Sequence, residues 1–185
     1  MKQRGLIRRH IVSAWEECIA KHYSVQQINS ERSLQAAFWS HLIPQLSKAR
    51  RVFIEPSILL ASGRRVFPDV VVTNSREVIA VVELKYTPKG SAKWEKDLAT
   101  LAALAGARGE LGISHTRHRG TDNDREHYRL SKHVLFVWAG VHKAFNDGVD
   151  YFAADYPLLQ DCYLQLHAET LANKPPELSY VLPSN

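Results

Sequence analysis

The sequence predicts an α/β protein with a mixed sheet, on the basis of three observations. Two amphipathic helices open the chain, strands rich in Val and Ile follow, and a further helix leads into one more apolar strand. Short loops join antiparallel strands, whereas a helical crossover joins parallel ones. The expected order is helix, helix, three strands, helix, strand, helix, within a single domain spanning residues 1–185.

The two N-terminal helices are predicted from apolar residues at helical spacing. In the first helix, over about 5–22, such residues recur every four positions: Ile7, Ile11, Trp15 and Ile19. The second begins after Ser30, a residue type that favours the helix N-cap, and is expected to end near Pro44. Each helix therefore has one apolar face that can be buried against a sheet.

Three strands are predicted next, because Val, Ile and aromatic residues dominate this part of the chain. The first covers about 51–60, where apolar residues are dense. Two stronger strands, at 65–73 and 77–85, are separated by a polar loop at 74–76 that is short enough for a hairpin. These three strands are expected to form an antiparallel β-meander.

The rest of the chain is predicted as a helix, a loop, a strand and a last helix. A helix over about 92–106 has Leu and Ala on one face. The polar stretch 106–132 shows no periodicity and is expected to be an exposed basic loop. The continuous apolar run at 133–141 is typical of a buried strand, and a helix is expected over about 156–173.

Composition limits the classes of function that fit. Lys and Arg total 24 against 19 Asp and Glu, so the formal net charge of +5 permits a polyanionic partner such as nucleic acid. The two cysteines, in apolar helical contexts, are interpreted as reduced core residues. No apolar run approaches the roughly 20 residues that span a membrane, and the basic N-terminus has no apolar leader stretch. We therefore expect no membrane partner and a cytoplasmic location.

The residues that best indicate chemistry lie on the two strands of the predicted hairpin. Side chains alternate along a strand, so Glu83 and Lys85 face the same way. With the loop at 74–76, Asp69 would pair with Val81, which makes Glu83 a diagonal neighbour of Asp69 on one face. Two carboxylates so placed can bind one divalent cation, and Mg²⁺ or Mn²⁺ is the natural fit for oxygen ligands.

Pro68-Asp69, followed after 13 residues by Glu83-Leu84-Lys85, resembles the PD-(D/E)xK nuclease superfamily. That superfamily has the restriction-endonuclease-like fold, and the resemblance covers about residues 30–141. It implies a Mg²⁺-dependent deoxyribonuclease, an endonuclease rather than an exonuclease. It further implies Asp69 and Glu83 as catalytic metal ligands, the backbone carbonyl of Leu84 as another ligand, and Lys85 as the catalytic lysine.

Two more acids each have two interpretations. Glu31 opens the second helix; the superfamily often supplies a helical Glu to its metal site, but a first-turn acid is also favoured by the helix dipole. Glu55 lies in the strand before the Asp69 strand, where related nucleases often carry a polar group. Its alternative role is an edge-strand charge that discourages aggregation.

Basic side chains that could contact DNA follow the proposed catalytic residues: Lys93, Lys96, Arg117, Arg119 and Arg125. A solvated helix face is the alternative for the two lysines. The QxxxY pattern of the RecB-like branch is absent. A homodimer or a larger nucleic-acid-processing complex would fit, because cutting both strands needs two sites. The alternative function is a non-catalytic nucleic-acid-binding or complex-assembly subunit with the same fold.

Overall fold

The computed structural model describes residues 2–60, 62–109, 111–116, 125–145 and 151–182. Its helices are α1 (Lys2–Cys18), which continues as a π-helix (Ile19–Tyr23), α2 (Glu31–Leu42), which continues as a 3₁₀ turn (Ile43–Gln45), and α3 (Glu95–Gly106). Its strands are β1 (Arg51–Ile54), β2 (Ile58–Leu59), β3 (Arg65–Val66), β4 (Val70–Thr73), β5 (Glu77–Thr87), β6 (Leu111–Thr116), β7 (Arg125–Lys143), β8 (Tyr163–Thr170) and β9 (Glu177–Val181).

Within the described residues, all nine strands belong to one sheet of order β1-β4-β5-β7-β6-β2-β3, which β8 and β9 extend from β7. β4 is antiparallel to both β1 and β5, whereas β5 and β8 are parallel to β7. The predicted α/β class and mixed sheet are therefore confirmed. In the described part of the chain, no helix combines the length and the apolar character needed to cross a membrane.

The sheet separates two apolar clusters. α1 and α2 cover one face, while α3 and the turns at 151–162 cover the other. The predicted apolar face of the first helix is confirmed, because all of its members are buried: Ile7, Ile11, Trp15 and Ile19. The predicted N-cap is confirmed as well, since the Ser33 N–H donates to Ser30 Oγ at 3.2 Å. This cap fixes the start of α2 and with it the position of Glu31.

The helix predicted over 156–173 is wrong. Turns occupy most of residues 152–162, and Tyr163–Thr170 is β8, a strand buried on both faces. Its alternation is hidden because Gln165 and His167 are polar yet fully buried. Both are satisfied internally, for example by the Phe152 N–H that donates to Gln165 Oε1 at 2.9 Å. Polar side chains with buried partners therefore made a core strand resemble a helix.

The predicted exposed loop at 106–132 is also wrong in part. It contains β6 and the start of β7, which pair antiparallel across 117–124, a segment outside the described residues. In this part of β7, Tyr128 and Leu130 are buried, while His127 and Arg129 are exposed. That alternation with a period of two is the signal of a half-buried strand.

Candidate active site

The hairpin of β4 and β5 brings Asp69 beside Glu83. Val70 pairs with Val82, so extending the register by one residue sets Asp69 opposite Glu83. Asp69 lies immediately before β4, and its Oδ2 accepts a hydrogen bond from the Leu84 N–H at 2.6 Å. This short, charge-assisted bond fixes the Asp69 side chain at the end of the hairpin.

The predicted register of this hairpin is wrong by two residues, although the predicted shared face is right. Asp69 does not pair with Val81, because the turn pairs Thr73 with Val78 and a β-bulge follows. The one-residue shift at the turn and the β-bulge would each, if present alone, put the Asp69 side chain on the opposite face of the sheet. Together they restore it, and they make Glu83 the direct rather than the diagonal neighbour of Asp69.

Asp69 and Glu83 form a pair of acidic side chains, of which Glu83 is buried and Asp69 half-buried. Glu83 is only 8% exposed, and the two carboxyl groups hydrogen-bond to each other. Burial raises the pKa of Glu83 well above its ordinary value, and the charge of Asp69 raises it further. Burial also raises the pKa of Asp69, although the Leu84 N–H opposes this shift. Without a cation, the pair therefore favours sharing a proton.

Lys85 lies between two further carboxylates. Its Nζ is 3.4 Å from Glu31 Oε2 and 3.6 Å from Asp97 Oδ2. Burial lowers the pKa of Lys85, but the charges of Asp97 and Glu31 outweigh it, so the pKa is raised above its ordinary value. Lys85 is therefore an ammonium group at neutral pH, held in place by two acids.

Glu31 reaches this site from the first turn of α2. Besides its ion pair with Lys85, Glu31 Oε2 accepts a hydrogen bond from the Tyr86 N–H at 3.3 Å. The acid is therefore both a first-turn residue of a helix and a neighbour of the predicted catalytic lysine. These contacts give it a positioning role toward Lys85, while its role as a metal ligand stays a prediction.

Glu55 lies close to Asp69 but borders a different cleft. It follows β1 with φ of +46°, and its N–H donates to the Asp69 carbonyl at 3.0 Å. Its exposed side chain borders a cleft of about 280 Å³ that Glu31, Gln35 and Asp69 also line. Neither Glu83 nor Lys85 lines this cleft, so Glu55 shares a cleft with Asp69 but not with the other two predicted catalytic residues.

Sequence reasoning missed Asp97 and Trp138. Trp138 neighbours Glu83 in the parallel register of β5 and β7, and its indole N–H donates to Asp97 Oδ2 at 3.3 Å. Gly140 leaves room for the Trp138 ring, because a Cβ atom at position 140 would collide with it. Asp97 lies one turn before Leu101 on the buried side of α3. An acid on the apolar face of an amphipathic helix was the signal that could have identified it.

The Asp69–Glu83 pair and Lys85 lie in one cleft of about 420 Å³. The residues that line it are Glu31, Arg64, Arg65, Val66, Phe67, Asp69, Glu83, Lys85, Lys96, Asp97 and Thr100. Its basic residues include Lys96, a predicted DNA contact, and Arg64 and Arg65, which were not predicted to contact DNA. Lys93 is exposed ahead of α3 and does not line the cleft. The loop predictions cannot be placed in the same way: Arg117 and Arg119 lie outside the described residues, and only the backbone of Arg125 is described.

The donor set of this cleft fits a hard divalent cation. Its acids offer only oxygen ligands: Glu31, Asp69, Glu83 and Asp97. Lys85 pairs with Glu31 and Asp97, whereas the Asp69 and Glu83 carboxyl groups bond to each other. Among the described residues, no three His, Cys, Asp or Glu side chains form a ready-made metal cage. Mg²⁺ commonly binds through one or two carboxylates and keeps several waters, so a cage of three side chains is not required. The Leu84 carbonyl stays a predicted third ligand.

Comparisons of this chain with protein-family models, curated proteins and solved structures gave no match. The site itself combines perturbed carboxyl pKa values with a lysine held between two acids in a cleft, a combination that is frequent at functional sites and also occurs in structural ion-pair networks.

The first prediction concerns the pH dependence of stability. Because the pKa of Glu83 is raised in the folded state, its protonated side chain contributes to the stability of the fold. This contribution is complete below the ordinary pKa of glutamate and is lost as the pH rises through the raised value. In EDTA, Glu83→Gln should therefore raise the free energy of unfolding at pH 8 by about 1–3 kcal/mol, with little gain at pH 4. Urea unfolding at both pH values measures this, with Glu77→Gln on the same strand as control. A gain of equal size at both pH values would contradict the prediction.

Proposed function

We propose that this chain is a divalent-metal-dependent nuclease that hydrolyses DNA phosphodiester bonds on a restriction-endonuclease-like core. The observation that carries the proposal is the Asp69–Glu83 pair, with Glu83 buried and Asp69 half-buried, and Lys85 two residues after Glu83 on the same strand. An ion pair serving stability alone would match one acid with one base. Two acids in contact, shielded from water, destabilise the metal-free fold at neutral pH, which supports a functional site.

Each side chain of the cleft has a role in this proposal. Asp69 and Glu83 would hold Mg²⁺, or Mn²⁺ in its place. Such a cation, when bound, supplies Lewis-acid polarisation of the phosphate and lowers the pKa of the attacking water. The Lys85 ammonium group donates a hydrogen bond to that water or to a phosphate oxygen. Glu31 and Asp97 hold Lys85 in position, and the Trp138 indole holds Asp97.

DNA is the proposed substrate because basic side chains border the acidic cleft. Arg64 and Arg65 lie at one side, where Arg65 Nη1 donates to Ser57 Oγ at 2.9 Å, and Lys96 lies on α3. Cations at the rim can bind the flanking phosphates while the acids hold a metal ion at the scissile one. The choice of DNA over RNA, like endonuclease over exonuclease, follows the resemblance to the PD-(D/E)xK superfamily.

The second prediction concerns the salt dependence of DNA binding. Replacing Arg64 and Arg65 together with alanine should reduce the slope of log affinity against log salt by about 1–2, because each lost phosphate contact removes about 0.9. Fluorescence anisotropy in Ca²⁺ measures the slope, with Lys48→Ala at an exposed site outside the cleft as control. An unchanged slope would place the DNA surface elsewhere. The predicted loop contacts are then tested by replacing Arg117, Arg119 and Arg125.

The direct test of activity is plasmid cleavage with Mg²⁺ or Mn²⁺ against EDTA. We expect nicked or linear DNA with either metal and none in EDTA, and no cleavage by Asp69→Asn prepared in parallel. A protein that binds DNA but cuts none with either metal would instead be a non-catalytic binding or complex-assembly subunit. Cleavage that appears only after a partner protein is added would support the predicted complex. Cleavage that requires two DNA sites related by twofold symmetry would support the predicted homodimer.

A further inference from the structure

Two histidines meet where the π-helix packs against α2, apart from the carboxylate cleft. His22 belongs to the π-helix and His41 to the last turn of α2. Their Nε2 atoms are 3.0 Å apart, and the ring centroids are separated by 5.1 Å. Both rings are half-buried, so their Nε2 atoms lie near the surface but are shielded from bulk water on most sides.

The partners of the other ring nitrogens determine where the protons are. Glu17 Oε2 lies 3.2 Å from His41 Nδ1, and since a carboxylate only accepts, that Nδ1 carries the hydrogen. Gln27 Oε1 lies 2.9 Å from His22 Nδ1 and accepts in the same way. When both rings are neutral, each Nε2 therefore presents a lone pair to the other at 3.0 Å. Two facing lone pairs repel, so a metal ion or a proton between the two Nε2 atoms would stabilise this arrangement.

The surrounding chain holds the two rings in this arrangement. A π-helical turn, a feature frequent at functional sites, displaces His22 from a regular α-helical path. The following turn has Gln26 at φ of +61°, and the Gln27 N–H donates to the His22 carbonyl at 2.9 Å. Lys21 Nζ fixes Glu17 Oε2 from the other side at 2.8 Å. One acceptor, Glu17, is thus itself ion-paired, and the backbone of the other, Gln27, is hydrogen-bonded to His22.

We propose that His22 and His41 form a two-histidine site for a borderline transition-metal ion of the Zn²⁺ or Ni²⁺ class. Both ligands would be Nε2 atoms, with solvent completing the coordination. Metal-bound histidines typically donate their second N–H to a carboxylate or carbonyl oxygen, as His41 and His22 do here. Two nitrogens bound at about 2.0–2.1 Å to a tetrahedral ion lie roughly 3.3 Å apart, so a small ring movement suffices.

The consequence of binding is a link between the π-helix and α2. Nitrogen ligands favour Zn²⁺ or Ni²⁺, whereas the all-oxygen cleft favours Mg²⁺, so the two sites select different ions. An ion that binds only the folded chain stabilises it, shifting the folding equilibrium about 100-fold at a concentration 100 times its Kd. This two-histidine site does not depend on the proposed nuclease activity of the carboxylate cleft.

The experiment is a Zn²⁺ titration of the full chain in excess Mg²⁺, which occupies the oxygen ligands. Calorimetry should show binding that His22→Ala and His41→Ala each weaken at least tenfold, whereas the exposed control His133→Ala has no effect. Glu17 is a positioning residue, so Glu17→Ala should weaken binding about 10-fold to 100-fold, in contrast to its neighbour Glu16→Ala. Equal affinity in wild type and both histidine variants would overturn the proposal.

Long-range ¹H–¹⁵N NMR of the wild type keeps the test decisive if a variant fails to fold. Zn²⁺ should shift the Nε2 resonances of both His22 and His41, while their Nδ1 atoms keep their hydrogens. The alternative to a metal ion between the two Nε2 atoms is a proton shared by the two rings. If Zn²⁺ leaves both Nε2 resonances and the thermal unfolding midpoint unchanged, the pair is a proton-sharing contact only and the metal site is wrong.

Discussion

Replacement of Lys85 by alanine is expected to slow DNA cleavage by about 100-fold or more, the scale of losing one electrostatic or acid–base group. Glu31 and Asp97 raise the pKa of Lys85, so it acts as a hydrogen-bond donor with a full positive charge. Charge builds up on the phosphate oxygens in the transition state, where the ammonium group contributes most. DNA affinity should change little, because one phosphate contact among several is lost.

Single-turnover cleavage in Mg²⁺, beside a binding titration in Ca²⁺, separates these two effects. Lys89→Ala removes an exposed lysine four residues further along and is the matched control. Lys85→Arg should restore activity only in part, because a planar guanidinium does not fit the position that Glu31 and Asp97 define for a compact ammonium group. Cleavage by Lys85→Ala at the wild-type rate would show that Lys85 is no part of the catalytic site.

Asp69→Asn should remove most of the affinity for Mn²⁺ measured by calorimetry. The substitution keeps an oxygen that can accept the Leu84 N–H, so the hairpin should fold as before. It removes one of the two carboxylates that we propose as metal ligands, and a neutral amide oxygen is a far weaker ligand than a carboxylate. The exposed Asp155→Asn is the control for a general loss of negative charge.

The stability of the same variant gives an independent readout. Without metal, Asp69→Asn should be at least as stable as the wild type at pH 8, because it removes a carboxyl group whose charged form is disfavoured by burial. Mn²⁺ should then raise the thermal midpoint of the wild type but leave the variant unchanged. Equal Mn²⁺ affinity in the two proteins would mean that Asp69 is not a ligand.

Local patterns explain which parts of the fold could be predicted. The N-terminal helices carry strict four-residue apolar spacing and a capping serine, so they form as expected. The hairpin of β4 and β5 is dense in Val and Ile, and the strand at 133–141 is an apolar run, so both are found. The strands predicted at 51–60 and 65–73 are wrong in part, because each is split and the pieces β2 and β3 pair at the other edge of the sheet. The Asp69, Glu83 and Lys85 set was found because its spacing resembles a known motif.

The remaining features depend on partners distant in the sequence. β8 hides Gln165 and His167 in a buried network, and nothing local shows that His142 satisfies His167 at 2.7 Å. The bulge that sets Asp69 opposite Glu83 has no local signal in the sequence. Asp97 becomes part of the site because the fold places it beside both Lys85 and Trp138.

The proposed activity depends on the binding of one divalent cation by both Asp69 and Glu83, in the cleft beside Lys85. The decisive measurement is an anomalous difference map from crystals of the protein soaked with Mn²⁺. We expect an anomalous peak within bonding distance of one carboxylate oxygen of Asp69 and one of Glu83, and no such peak in Asp69→Asn. A map with no peak at this pair, from crystals of a protein that cuts DNA in Mn²⁺, would show that the catalytic metal lies elsewhere.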